Sequence, residues 1–130
     1  MDDSERKALG ALGEELALAH LLAHGLKPLI RNYRCKMGEL DLVMMERETL
    51  VLVEVRCRSS TDYGGPAASI DRQKQRKLVL AAEHLLMKRA ELRCHPARFD
   101  VVAITMGAPR ARVDWIRSAF SLSDHARDHC

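Results

Sequence analysis

Residues 38–57, GELDLVMMERETLVLVEVRC, hold two apolar runs separated by a short polar break. Leu40 to Met45 and Leu50 to Cys57 are dominated by Leu, Val and Met, and the second run is apolar at both parities of a strand. Such a run reads as a central strand covered on two sides. Glu46 to Thr49 supplies the turn, so the two runs pair as an antiparallel hairpin. With an even number of turn residues, Leu42 faces Val53 and Asp41 faces Glu54. Cross-strand partners hold their Cβ atoms roughly 4.5–5.5 Å apart, where two carboxylates repel. A divalent cation, a nearby Arg or Lys, or a shared proton is then needed to offset the repulsion. The same register puts Glu39 opposite Arg56, gathering three acids and one base on one patch.

Upstream, Ser4 to His24 is rich in Ala and Leu and is followed by Gly25 and Pro28, the stop signals of a helix. Its wheel shows a narrow polar arc at Arg6, His20 and His24, so the helix is expected to be largely buried. Glu14 and Glu15 intrude on its apolar sides, and the wheel does not decide which turns inward. Pro28 to Arg34 reads as an edge strand that turns through Met37-Gly38 into the hairpin. Downstream, residues 59–66 (SSTDYGGP) read as a loop, with Tyr63 a candidate contact for substrate. Ser69 is the expected N-cap of a second helix over Ile70 to Ala90, with Lys74, Leu78, Ala81 and Leu85 along its inward stripe. Arg98 to Thr105 and Val113 to Ile116 complete the strands. The order α, β, β, β, α, β, β implies one mixed sheet with helices packed on its faces.

The chain has 130 residues, 47% hydrophobic and 30% charged, which suits one globular domain over residues 1–120 with a polar tail at 121–130. No apolar run approaches the roughly 20 residues of a membrane span, and the opening MDDSERKALG is unlike a signal peptide. The cytoplasm is the expected compartment, and a membrane partner is not expected. Cys35, Cys57, Cys94 and Cys130 stand apart, without a CxxC pair or zinc-finger spacing, and read as reduced thiols. His125, His129 and Cys130 lie close together, but in a tail that reads as frayed rather than metal-binding. The net charge of +3 is unevenly spread: residues 1–54 carry 7 Lys or Arg against 10 Asp or Glu, and residues 55–98 carry 10 against 4. An acidic surface beside a basic one suits a place where a cation and a polyanion meet.

Carboxylate oxygens suit hard ions, so Asp41, Glu54 and the Val55 carbonyl are candidate ligands of Mg2+ or Mn2+, with water and a substrate phosphate completing the shell. The competing reading is an ion-pair network, Glu39 with Arg56 and Asp41 with a basic neighbour. Arg72, Lys74, Arg76 and Lys77 crowd the start of the second helix, where the helix dipole also favours phosphate. With Arg56 and Arg58 they can rim the acidic centre, or they can be an ordinary solvated helix end. Aromatic residues are too few for a base-stacking platform. Asp100, inside a strand, reads as a structural hydrogen-bonding group.

GELDLV at 38–43, VEVRCR at 53–58 and RFDVVA at 98–103 resemble the YraN family of uncharacterised bacterial proteins. Gly13-Glu14 with Ala17, Asn32-Tyr33-Arg34 and Lys74-Gln75 fit it too, so the likeness covers residues from about 10 to 120. That family resembles the restriction-endonuclease-like, PD-(D/E)xK superfamily, and archaeal Holliday junction resolvases are similar small members. The resemblance implies an α/β fold with a single mixed sheet, a central antiparallel hairpin and flanking helices. It implies a metal-dependent nuclease acting on DNA, branched or structured DNA included, with Asp41 and Glu54 as metal ligands and Glu14 as the assisting acid. The superfamily pattern has lysine where this chain has Arg56, and arginine is a poor general base. Lys74 is the candidate to supply the missing ammonium, and Gln75 is a further contact. A DNA-binding protein that kept the fold without efficient cleavage, and a dimeric protein-interaction scaffold, are the alternatives. A homodimer is suggested by analogy with relatives that cut two strands.

Overall fold

The computed structural model of the chain describes residues 2–59, 70–107 and 109–120. Helix α1 spans Asp3–Ala23, strands β1, β2 and β3 span Lys27–Cys35, Gly38–Glu46 and Thr49–Ser59, and helix α2 spans Arg72–Lys88. A short 3-10 turn at Ala90–Leu92 leads to β4 (Ala97–Met106) and β5 (Arg112–Phe120). The strands form one sheet in the order β1-β2-β3-β4-β5, antiparallel except for the parallel pair β3 and β4. The crossover between that parallel pair carries α2, which covers one face. Leu78, Val79, Ala81, Ala82 and Leu85 pack there on Leu40, Val43, Leu50 and Leu52. Ala17 and Leu21 of α1 cover the other face, over Leu42, Met44, Val51 and Val53. β3 therefore has a helix on each side, which is why its sequence is apolar at both parities.

The hairpin has the expected register: Leu42 pairs with Val53 and Glu46 with Thr49, across a turn in which Arg47 takes φ 55°. Two details of the helices differ from the sequence reading. α1 begins one residue early, capped by the Asp2 carboxylate accepting from Glu5 N at 2.8 Å, and only Gly13, Ala17 and Leu21 of it are buried. Leu12 and Leu22 remain 49% and 45% exposed, because a single helix on that face meets the sheet along one i, i+4 stripe. α2 is capped by Asp71, whose carboxylate accepts from Lys74 N at 2.7 Å, and not by Ser69, which lies outside the described residues. Tyr63, most of the 59–66 loop, and the tail with His125, His129 and Cys130 lie outside them as well. Cys35 and Cys57 are free thiols as expected, whereas Cys94 is disulfide-bonded.

Two glycines set how closely the helices approach the sheet. A Cβ on Gly13 would lie 2.6 Å from Cys57 Sγ and 3.2 Å from its Cβ, so α1 rests directly on β3 there. A Cβ on Gly38 would lie 3.0 Å from the Lys77 carbonyl oxygen, so the β1–β2 turn tucks under the first turns of α2. Gly13→Ala is expected to lower stability by about 1–2 kcal/mol, overpacking outweighing the ~1 kcal/mol that alanine adds to a helix. Urea denaturation checks this, and combination with Cys57→Ala, which removes the clashing sulfur, should recover most of the loss.

Candidate active site at the parting of two strands

The β2–β3 ladder stops at Leu42 and Val53, one position short of Asp41 and Glu54. Beyond it the Asp41 carboxylate takes the place of a strand carbonyl, its Oδ2 accepting from Val55 N at 2.8 Å. The side-chain alternation of β2 slips at the same point. Leu40 and Val43 belong to the α2-side core, but Leu42 and Met44 to the α1 side, so Leu40 and Leu42 face opposite ways despite equal parity. β1 slips at the same level, where Asn32 adopts φ 54° between Ile30 and Tyr33 of the α2-side core. Asparagine tolerates that left-handed backbone better than most residues. The slip leaves Asp41 in the gap between strands, reachable from both faces of the sheet.

From the α2 side comes Glu54, which is only 12% exposed and hydrogen-bonds to Asp41. Lys74 Nζ, from the first turn of α2, lies 3.5 Å from Glu54 Oε2. From the α1 side comes Glu14, positioned by the close approach of its neighbour Gly13. The Asn32 amide, turned so that its nitrogen meets the acids, donates to Glu14 Oε1 at 3.1 Å and to Glu39 Oε1 at 3.2 Å. Burial, the Glu54 charge and the hydrogen bond to Glu54 push Asp41 from 3.8 up to about 7. Burial and the neighbouring Asp41 raise Glu14 as well. The ambiguity of the α1 wheel is thereby settled: Glu14 faces the acids, and Glu15 turns outward to pair with Arg31 Nη2 at 2.6 Å.

The other expected members lie at the edge of the centre or beyond it. Glu39 borders it through Asn32 and pairs with Arg34 across the β1–β2 ladder at 3.4 Å, and the β2–β3 ladder does not extend to the anticipated Glu39–Arg56 pairing. Arg56 shares Glu54's face of β3, two positions on, and is exposed. Arg58 is half-buried, and its buried Nε has no hydrogen-bond partner among the described residues. Arg72, Lys74, Arg76 and Lys77 are all exposed along the start of α2. The Gln75 amide donates to the Ile70 carbonyl at 2.8 Å, a role in shaping the helix entrance. Asn32 is the member that sequence reasoning missed as a site residue. A polar residue in β1 at the level of Asp41 was the available signal.

Among the described residues, no three His, Cys, Asp or Glu side chains are arranged as a metal cage. The donor set fits a different kind of site. Mg2+ keeps several waters and uses one or two carboxylates plus substrate phosphate, and the strained Asp41–Glu54 pair is a donor set of that size. No described helix is long and apolar enough to cross a membrane.

A single mixed sheet with a helix on each face, and a carboxylate pair where the central hairpin opens, is consistent with a restriction-endonuclease-like fold. A family model described as the uncharacterised protein family UPF0102 matches residues 13–104, from Gly13 on α1 into β4. The UPF0102 protein of Saccharophagus degradans is 50% identical over 115 residues, spanning 88% of this chain and 94% of its own. That of Cupriavidus pinatubonensis is 52% identical over 120 residues, 92% and 90% of the two chains. A relative from Aeromonas hydrophila is 52% identical over 108 residues, 82% and 80%. The chain belongs to the UPF0102 family, the YraN family that its motifs resemble.

Proposed function

We propose that this chain is a Mg2+- or Mn2+-dependent nuclease that hydrolyses phosphodiester bonds of DNA, with branched or structured DNA among its substrates. The observation that carries this reading is the Asp41–Glu54 pair, two acids held in contact at a strand parting with Asp41 raised to about 7. Two ionised acids in contact weaken the fold, and strongly perturbed acids concentrate at functional sites. Asp41 and Glu54, with the Val55 carbonyl and the assisting Glu14, are the groups to hold the cation. When bound, that cation lowers the pKa of a water and neutralises charge on the phosphate.

The chain's own cations do the rest. Lys74 is the group to orient the attacking water or the scissile phosphate, a reading supported by its 3.5 Å distance from Glu54. Arginine is a poor general base, so the role of Arg56 is to hold phosphate rather than to take a proton. Arg58, with its unpartnered Nε, and Arg72, Arg76 and Lys77 supply phosphate contacts along the flank, with Gln75 beside them. Purified protein is expected to cut duplex, flap or four-way-junction DNA in Mg2+ or Mn2+, and Lys74→Ala should slow cleavage about 100-fold or more. Failure to cut any of the three, by protein that binds the metal, overturns the reading.

A second reading is favoured by Arg56, which stands where the superfamily's lysine would: a DNA-binding protein without efficient cleavage. It expects salt-sensitive binding that weakens on charge reversal at Arg72, Arg76 and Lys77, with no strand scission. The exposed Leu12 and Leu22 on α1 are the observation behind a homodimer, which sedimentation measures directly.

A further inference from the structure

We propose that His20 and His24 form a two-imidazole site for a late transition-metal dication, Cu2+ above all, on the flank of α1 beside β5. None of the residues in the Asp41–Glu54 centre takes part. The two histidines stand one helical turn apart, the i, i+4 spacing that brings a pair of imidazoles onto one face of a helix. Their ring centroids lie 4.5 Å apart with the planes tilted by 36°.

The hydrogen bonding selects the ligand tautomer. His24 Nδ1 lies 2.8 Å from the His20 carbonyl oxygen. A carbonyl only accepts, so Nδ1 carries the hydrogen, and in the neutral ring Nε2 keeps its lone pair. An imidazole whose other nitrogen donates to a backbone carbonyl is the usual form of a metal-ligating histidine. Burial, followed by the proximity of His24, holds His20 below the ordinary histidine range, which keeps it neutral and available.

The surroundings are compatible with a bound dication. Trp115 of β5 makes T-shaped contacts with both imidazoles, its ring centroid 6.0 Å from that of His20 and 5.4 Å from that of His24. The Arg117 guanidinium lies over Trp115 at 3.9 Å, and its charge is met by Glu46 at 2.9 Å. Among the described residues no third His, Cys, Asp or Glu joins the pair, so the site is an open chelate completed by water. Two imidazoles with open positions bind Cu2+ ahead of Ni2+ or Zn2+ by the general affinity order.

Trp115 is the only tryptophan of the chain, which makes it a local reporter. Titration of the full chain with CuCl2 at pH 7 is expected to give saturable quenching of its fluorescence. His20→Ala and His24→Ala should each raise the half-quenching concentration by about 10-fold or more, at least the loss that removing a supporting contact causes in metal sites. His24→Gln keeps a polar side chain at this exposed position and should behave as His24→Ala does, with far-UV circular dichroism unchanged. As a second measurement, Cu2+ should broaden the imidazole resonances of His20 and His24 ahead of others. Quenching that does not saturate, or a midpoint unmoved by these substitutions, overturns the site.

Discussion

Asp41→Asn is expected to yield a protein that is both more stable and inactive. An asparagine there retains an oxygen to accept from Val55 N, and its amide donates to Glu54 in place of the shared proton. What disappears is the ionised state that burial and Glu54 disfavour. Because the folded value lies near 7 and the ordinary one at 3.8, the folded chain binds the proton more tightly than the unfolded chain between those limits. The stability this group contributes is therefore fully present below pH 3.8 and is lost as pH rises through 7. In metal-free buffer above pH 8, the substitution should gain on the order of 2–4 kcal/mol over the parent, and progressively less toward pH 4. Urea denaturation at several pH values, with EDTA, measures it. A gain that is absent, or equal at pH 4 and pH 8.5, would mean that the acids do not repel each other in the fold.

Added Mg2+ or Mn2+ should reverse the order. The parent gains stability with metal concentration because the ion binds the folded chain, while the variant, short of one carboxylate, gains far less. Binding also requires the pair to be ionised, so metal affinity should climb through pH 7 with release of a proton. A site that weakens the empty fold and strengthens the loaded one is the usual trade between stability and function. The ion-pair alternative predicts the opposite for the empty protein. If Lys74 neutralised the pair fully, removing one acid would cost stability, but among the described residues its ammonium pairs with Glu54 alone, at 3.5 Å, and it is 44% exposed.

The parts of this centre differ in how far the sequence discloses them. The register was legible, because a polar break of even length between two apolar runs leaves one alignment that buries both. Lys74 was legible as well, since it heads the Leu78, Ala81, Leu85 stripe, all three of which are buried against the sheet. The slip at Asn32 and Asp41 was not, because strand alternation presumes a regular backbone, and a lone asparagine in β1, though it tolerates the φ of 54° found there, does not by itself locate a slip. That irregularity lets one carboxylate meet a glutamate from each side of the sheet, so the least readable feature is the one that assembles the acids. α1 was overestimated for a simpler reason. A wheel counts apolar residues, but burial depends on how many layers exist to cover them, and only the Gly13, Ala17, Leu21 stripe meets the sheet. β5 was underestimated at Val113 to Ile116, and it continues to Phe120 through a bulge in which Ser118 takes φ 50°.

That bulge is built around Asp100, and Asp100→Ala should be among the most destabilising single substitutions in the chain. Asp100 is 1% exposed and is the only buried charged residue among those described. Its carboxylate accepts from Arg98 Nε at 3.0 Å, from Trp115 Nε1 at 2.9 Å and from Ser118 N at 2.9 Å, filling the space where β5 carries extra residues opposite β4. Alanine would strand all three donors. It would also leave Arg98, 19% exposed and with one buried nitrogen already unpartnered, to Glu46 alone, a carboxylate that Arg117 shares. Removing one member of a buried ion pair costs roughly 3–5 kcal/mol, much of it from the charge left behind. For a chain of this size that is a fall of roughly 10–20 °C in Tm. Asp100→Asn keeps oxygen acceptance for Trp115 or Ser118 but not the charge facing Arg98, so its loss should be intermediate. Thermal unfolding followed at Trp115 reads both. Equal, small losses for the two variants would show that Arg98 rests on Glu46 without help from Asp100. With the larger loss for alanine, the stacking of Phe120 on Phe99, whose centroids lie 4.5 Å apart, should be disturbed as well, because it lies just beyond the bulge that Asp100 holds.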